Sequence, residues 1–342
     1  MTYDPDQAPL ATAGLFGLPF TVDEAALVIV PVPWDATTSY RAGTSDGPAA
    51  IRAASHQLDL YDIELGEPWR SGIAMLDVPE DIAGWNHDAR EDAEPIIAVG
   101  GRIDGNDELA HLLGRVNAAS ARLDERVHAD VAALLDRGKL VGVIGGDHSV
   151  PFGSIRAHAE RGELGILHVD AHADLRDAYE GFTCSHASIM RNVMTRLPGV
   201  TRLVQVGIRD VAKSEIDFIA QSDGRIVTHF DARLAEKKLE GESWRMLCDA
   251  IVADLPPRVY VSFDIDGLDP QLCPHTGTPV PGGLSFQEAC LLIKRLVETG
   301  HRIIGFDLNE VAPGPAGDEW DANVAARLLY KLCGWTLRSA RD

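Results

Sequence analysis

Apolar residues gather in short runs separated by longer stretches of mixed polarity. The runs are 26–32 (ALVIVPV), 140–146 (LVGVIGG), 164–170 (LGILHVD), 202–208 (RLVQVGI), 258–266 (RVYVSFDID) and 302–308 (RIIGFDL). Most are rich in Val, Ile and Leu with little polar alternation, the pattern of strands buried on both faces of a parallel sheet. Between them, residues 47–60, about 107–135, 151–161, 285–299 and 321–333 carry apolar positions at helical spacing. Strands alternating with helices predict a doubly wound α/β architecture. The polar stretch 79–106 reads as a surface excursion holding a short helix or hairpin. With no internal repeat and no Gly/Ser/Pro linker, one domain is expected.

Charge narrows the function. The chain of 342 residues has 52 acidic against 31 basic residues, a formal net charge of −21. Such a surface repels phosphate backbones and anionic lipid, so neither nucleic acid nor membrane is an expected partner. No run approaches the roughly 20 apolar residues needed to span a bilayer. The opening MTYDPDQAPLATAG also lacks the basic start and apolar core of a signal peptide. Cys184, Cys248, Cys273, Cys290 and Cys333 are scattered, without a CxxC pair. Free thiols in a reducing cytoplasm are therefore expected.

Candidate chemistry lies where three apolar runs end. VGVIGGDHS supplies Asp147 and His148; ILHVDAHAD supplies Asp170, His172 and Asp174; VYVSFDIDGLDP supplies Asp264, Asp266 and Asp269. In an extended chain alternate side chains share a face, which would bring Asp170, His172 and Asp174 together, and Asp264 with Asp266. Parallel sheets place ligands beyond the carboxyl ends of their strands, where all three clusters fall. A single strand-end Asp ordinarily caps a turn. Four carboxylates meeting two imidazoles, however, need cations, and two divalent ions balance the four charges. Carboxylate and imidazole without thiolate suit Mn²⁺, and a pair of ions lowers the pKa of water between them.

GGDHS, DAHAD and SFDIDGLDP resemble the three metal-binding signatures of the ureohydrolase (arginase/agmatinase) family. PVPWDATTSYRAGTSDGPAAIR, TGTPVPGGLSFQEA, DLNEVAP and DANVAARLLYKLCG extend the likeness over roughly residues 25–335. The resemblance implies an arginase-like three-layer α/β/α fold with a mostly parallel central sheet. It implies a single catalytic domain at 25–335 behind an N-terminal extension at 1–24. It implies two divalent metal ions, Mn²⁺ or alternatively Ni²⁺, one on His148, Asp170, Asp174 and Asp264, the other on Asp170, His172, Asp264 and Asp266. His186, in TCSHASIM, takes the place of the proton-shuttle histidine, Glu310 that of the guanidinium-orienting carboxylate, and Thr278 that of a threonine lining the slot. A homo-oligomer, trimer or hexamer, is implied in the same way.

The implied activity is hydrolysis of a guanidino C–N bond with release of urea, agmatinase-like first. Arg176 stands where arginases carry a tail-binding asparagine, which counts against arginine as substrate. An arginine there would repel the terminal ammonium of agmatine if it points inward, and would pair with the carboxylate of guanidinobutyrate. Guanidine itself also fits, while formimidoylglutamase fits less well because His186 is retained. A related single-zinc deacetylase would bind one metal rather than two. His168 is equally readable as a core histidine or as a support for Asp170. Asp147 and Asp269 are expected to anchor backbone, Cys184 to be a loop thiol, and Trp34 to pack or to wall the pocket.

Overall fold

Every residue of the first strand, Leu27–Pro31 (β1), is buried, with successive side chains serving opposite layers. Leu27 and Ile29 join one cluster while Val28 and Val30 join another. A strand apolar on both faces is stable only between two helical layers, and the computed structural model of the chain supplies both. The structure describes residues 4–7 and 13–341; positions 1–3 and 8–12 of the expected extension lie outside the described residues.

The remaining strands are Ile73–Met75 (β2), Leu140–Ile144 (β3), Leu164–Val169 (β4), Val200–Ile208 (β5), Ile226–Phe230 (β6), Arg258–Asp264 (β7) and Arg302–Asn309 (β8). They form one sheet in the order β2-β1-β3-β8-β7-β4-β5-β6. All strand pairings are parallel. The helices are Gly47–Ala54 (α1), Glu80–Ala98 (α2), Asp107–Asp136 (α3), Phe152–Ala159 (α4), Ile189–Arg196 (α5), Lys213–Ala220 (α6), Asp231–Leu239 (α7), Trp244–Val252 (α8), Phe286–Glu298 (α9) and Trp320–Ser339 (α10). Leucines and valines of α3 pack with Ile82 and Ala89 of α2 on one face of β1 and β3. Helices α1, α8, α9 and α10 cover the other face. The three-layer α/β/α arrangement is thus present. Among the described residues no helix is long and apolar enough to cross a membrane.

Three expectations need correction. The stretch 79–106 is not a short excursion: its first part is the 19-residue α2, docked on α3. It buries only Ile82, Ala89, Ala93 and Ile96, so its apolar stripe is narrow and half alanine. The helix expected over 47–60 ends at Ala54 and passes through a 3-10 turn at Ser55–Gln57. The sheet also gains β2 and β6: the first has three residues, and the second is a partly exposed edge strand.

Candidate active site

The four central strands, β3, β8, β7 and β4, are consecutive neighbours, and the candidate residues leave their carboxyl ends. After β3 the chain must pass close beneath its neighbours. A Cβ on Gly146 would collide with the carbonyl oxygen of Trp34, and one on Gly145 with the Asn309 side chain. Only glycines admit that approach, which delivers Asp147 and His148 to the sheet end.

Beyond β4 and β7 the geometry differs from the extended chain expected. Strand β4 stops at Val169, so Asp170, His172 and Asp174 lie on an irregular segment, and Asp174 has a left-handed φ of 54°. Asp264 ends β7, and Asp266 lies in the 3-10 turn Ile265–Gly267. The side chains meet through turns rather than through strand alternation.

The aspartates share one logic. Each of three places one oxygen on a backbone N–H, and its other oxygen remains for the centre. Asp170 Oδ1 accepts from His172 N at 2.6 Å, Asp264 Oδ1 from Asp266 N at 2.8 Å, and Asp266 Oδ1 from Ala171 N at 3.0 Å. The second oxygens of Asp170 and Asp264, together with Asp174 Oδ2, surround His148 Nδ1 at 2.9, 3.3 and 3.2 Å. Across the site, His172 Nδ1 lies 3.1 Å from Asp266 Oδ2 and 3.5 Å from Asp170 Oδ1.

Three groups behind these residues went unread in the sequence or were read ambiguously. Ser262 Oγ donates to Asp307 Oδ1 at 2.9 Å, spending its only proton, so the His148 Nε2 facing it at 2.9 Å must be the donor. In neutral His148 the Nδ1 lone pair then points at three carboxylate oxygens. His168 Nε2 lies 2.8 Å from Asp170 Oδ2, and its Nδ1 meets Gln205 Nε2 at 3.0 Å. His168 therefore supports Asp170, settling its earlier ambiguity. Asp307 left only one signal, an acid inside an apolar strand.

This donor set fits cations. One imidazole nitrogen has at most one proton to offer, yet three carboxylates converge on it. Burial, together with repulsion from Asp266 and Asp170, holds Asp264 well above the usual carboxylate range. Burial and then Asp170 push Asp174 up to about 8. Burial would lower His148 and His172, but facing carboxylates carry His148 far up and His172 to about 12. Without metal, stray protons are recruited to a cage of negative charge. Divalent ions would satisfy the same oxygens and lone pairs. His148, His168, Asp170 and Asp174 group their donor atoms within 4.8 Å of one another, and so do Asp170, His172 and Asp266.

Above this centre opens a cavity of about 150 Å³ lined by Ser39, His172, Asp174, Arg176, Tyr179, His186, Asp210, Glu215 and Thr278 among others. Thr278 Oγ1 lies 3.4 Å from Asp266 Oδ2. Glu310 immediately follows β8 with a left-handed φ of 62°, a conformation rare outside glycine and informative where it occurs. Burial and the charge of Asp147 hold its carboxyl well above the ordinary range. His186 has a buried Nδ1 without a partner among the described residues, and burial, then His172, push its pKa down to about 4. Arg176 lines the cavity with its guanidinium 4.9 Å from the centre of the Tyr179 ring. Tyr179, Asp210, Glu215 and Ser39 were not singled out in the sequence, since three are ordinary loop residues and Glu215 an ordinary first-turn acid of α6 until the fold gathers them.

The other conspicuous residues are structural. Asp147 Oδ1 accepts from Ser149 N at 2.9 Å, and Asp269 Oδ1 from Gln271 N at 2.9 Å. Trp34 is wholly buried in the layer beside β1 and does not wall the cavity. Cys184 Sγ lies 3.8 Å from Asp124 Oδ2.

The model of the arginase family matches residues 25–334. The chain is 34% identical over 323 residues to an N(1)-aminopropylagmatine ureohydrolase of Synechocystis sp., covering 93% of this chain and 91% of that one. It is 32% identical over 312 residues to an agmatinase of Enterobacter sp., covering 90% and 87%. Among solved structures it resembles the agmatine ureohydrolase of Thermoplasma volcanium, with a TM-score of 0.71, 25% identity and coverage of 94% and 93%.

Proposed function

We propose, from the premise that this chain belongs to the arginase family, that its substrate is agmatine or a close relative carrying a terminal ammonium. The reaction class follows from membership: the chain is a hydrolase acting on the C–N bond of a linear amidine and releasing urea. The observation that carries the reading is the convergence of Asp170, Asp174 and Asp264 on His148 Nδ1, with Glu310 bonded to the same residue's backbone.

In this reading His148, Asp170, Asp174 and Asp264 would hold one ion, and Asp170, His172, Asp264 and Asp266 would hold the other. Mn²⁺ suits the carboxylate-imidazole set, and Ni²⁺ is the alternative. Bound divalent ions supply an acidified water and polarise the bond under attack. The protein does the rest. Glu310 accepts the N–H donors of the planar guanidinium and fixes its face toward the centre. Thr278 lines the slot beside Asp266. His186, neutral at pH 7, takes a proton from the attacking water and hands it to the departing amine. Asp210, exposed on the cavity wall and without a cationic side-chain partner among the described residues, is available to a terminal ammonium, while Arg176 leans on Tyr179.

A second reading keeps the chemistry and changes the tail. Arg176 lines the same cavity, which favours a carboxylate-bearing substrate such as guanidinobutyrate. The rest of the proposal is a single catalytic domain over 25–335, a cytoplasmic location, assembly into trimers or hexamers, and no nucleic-acid or membrane partner. The test is urea release from agmatine, arginine, guanidinobutyrate and guanidine, and formamide release from formiminoglutamate, with Mn²⁺- and Ni²⁺-reconstituted protein in parallel. Agmatine is expected to give the highest kcat/KM. Protein holding two metals per chain and releasing no urea from any of them refutes the proposal, and one metal per chain points to the deacetylase-like alternative.

A further inference from the structure

At the opposite end of the sheet from the active site, two of the same four strands begin on basic residues and a third is immediately preceded by one. Arg258 opens β7, Arg302 opens β8, and Lys139 immediately precedes β3. With Arg161, which follows α4, they line a cleft of about 380 Å³, within the roughly 300–1,000 Å³ of small-molecule sites. Its other walls are Leu135, Gly138, Leu140, His158 and Ile304, so no carboxylate lines it among the described residues. In a chain whose formal net charge is −21, four cations gathered without interleaved acids are a local reversal of sign.

The partners these cations do have are mostly neutral. Lys139 Nζ donates to the carbonyls of Asp23 and Ala25, each at 2.7 Å. Arg258 Nη1 donates to the carbonyls of Arg161 and Glu163 at 3.4 and 3.3 Å. Arg161 donates to the Ala157 carbonyl at 2.8 Å and pairs with Asp136 outside the cleft. The exposed guanidinium of Arg302 makes no hydrogen bond or ion pair with any described residue. Carbonyls orient cations but leave their charge in place. His158, buried at the cleft wall, registers it: burial first, then the charges of Arg161 and Arg258, push it down to about 4.

We propose that this cleft is a binding site for a small phosphorylated anion, held by Lys139, Arg161, Arg258 and Arg302. Guanidinium groups match phosphoryl oxygens in pairs, and partial enclosure between strand starts weakens solvent screening. An anion seated there relieves the mutual repulsion of the four cations. Bound at the starts of β3, β7 and β8, it touches the elements whose far ends carry His148, Asp264 and Glu310. The site is independent of which guanidino compound is hydrolysed.

The test is isothermal titration of the metal-loaded full chain with inorganic phosphate and with fructose 1,6-bisphosphate as one- and two-phosphate probes. Sodium chloride keeps the ionic strength equal throughout. Saturable binding of one probe per chain is expected, tighter for the bisphosphate. Arg302→Glu, an exposed position whose side chain supports nothing else, is expected to weaken binding by about tenfold or more while leaving kcat unchanged. Unchanged kcat certifies the variant's fold, and Lys139→Gln serves as the second variant. Absence of saturable binding, equal affinity in parent and Arg302→Glu, or competition by the guanidino substrate would each overturn the proposal.

Discussion

The backbone N–H of His148 donates to Glu310 Oε1 at 2.9 Å. The residue at the focus of the aspartate cage thereby also anchors the carboxylate proposed to orient the guanidinium, although 162 positions separate them in the chain. Any shift of the loop after β3 would move both. The left-handed backbone at Glu310 is held in place by this contact and by its own N–H, which donates to the Gly146 carbonyl at 2.7 Å.

Glu310→Gln separates charge from shape. The amide oxygen still accepts from His148 N, so metal content and thermal stability should match the parent. What is lost is the charge facing the guanidinium, and kcat/KM for agmatine should fall by about 10²–10³-fold. Metal analysis beside steady-state kinetics checks this. Normal turnover in the variant would remove Glu310 from the mechanism.

Asp264→Asn tests the cage itself. Asp264 faces His148 Nδ1 and repels Asp266 and Asp170, so neutralising it should relieve the metal-free protein while weakening both cation positions. The parent should gain stability with Mn²⁺, about 2.7 kcal/mol at a hundredfold excess over Kd, seen as a Tm higher by several degrees. The variant should show little of that gain and almost no urea release. Calorimetric scans with and without Mn²⁺ decide the matter, and an equal Tm response in both proteins would contradict the assignment.

His186→Ala should behave differently from both. Among the described residues the ring makes no hydrogen bond through Nδ1, and it rests edge-on to Tyr179 with centroids 5.9 Å apart, so its removal leaves the cage intact. Bound metal should remain at the parent level while kcat drops about 10²–10⁴-fold, the usual worth of a positioned proton carrier. An exogenous base such as imidazole restoring part of the rate would support the shuttle role, whereas full activity without it would end that role.

How far the sequence alone reaches depends on where the information sits. The buried strands announced themselves because Val, Ile and Leu run without polar interruption, and the acid bursts at their ends located the centre. The residues behind the centre did not. Ser262 and Asp307 acquire meaning only when β7 and β8 pair and set Ser262 opposite Asp307. The edge strand β6 and the alanine-lined α2 bury too little apolar surface to stand out. The reason given for convergence at Asp170, His172 and Asp174 was strand alternation; the chain instead turns, and the positive φ of Asp174 has no sequence signature.

Arg176, on the cavity wall, is proposed to discriminate between substrate tails. With its guanidinium over Tyr179 in the cavity wall, Arg176→Ala should improve kcat/KM for agmatine several-fold by removing a like charge, and should diminish any activity toward guanidinobutyrate about tenfold. Parallel kinetics on the two substrates measure the ratio. An unchanged ratio would place Arg176 outside recognition, as part of a solvated loop.

Stability should carry a separate pH signature from Asp124 on α3, away from the catalytic cavity. Its side chain is buried beside Cys184, and burial outweighs the nearby charges of Arg196 and Arg156, raising its pKa from 3.8 to about 7. A carboxyl raised in the folded state favours folding in its protonated form. Its contribution is complete below the unfolded value of 3.8 and is lost as pH rises through about 7. At about 1.36 kcal/mol per pKa unit, ionisation at pH 8 costs on the order of 4 kcal/mol before relaxation reduces it. Asp124→Asn carries no such charge, so it should exceed the parent in stability at pH 8 and lose most of that lead by pH 4.5. Urea denaturation of both proteins at the two pH values gives the difference directly, and a lead that is constant or grows toward acid would mean that Asp124 is ionised in the fold.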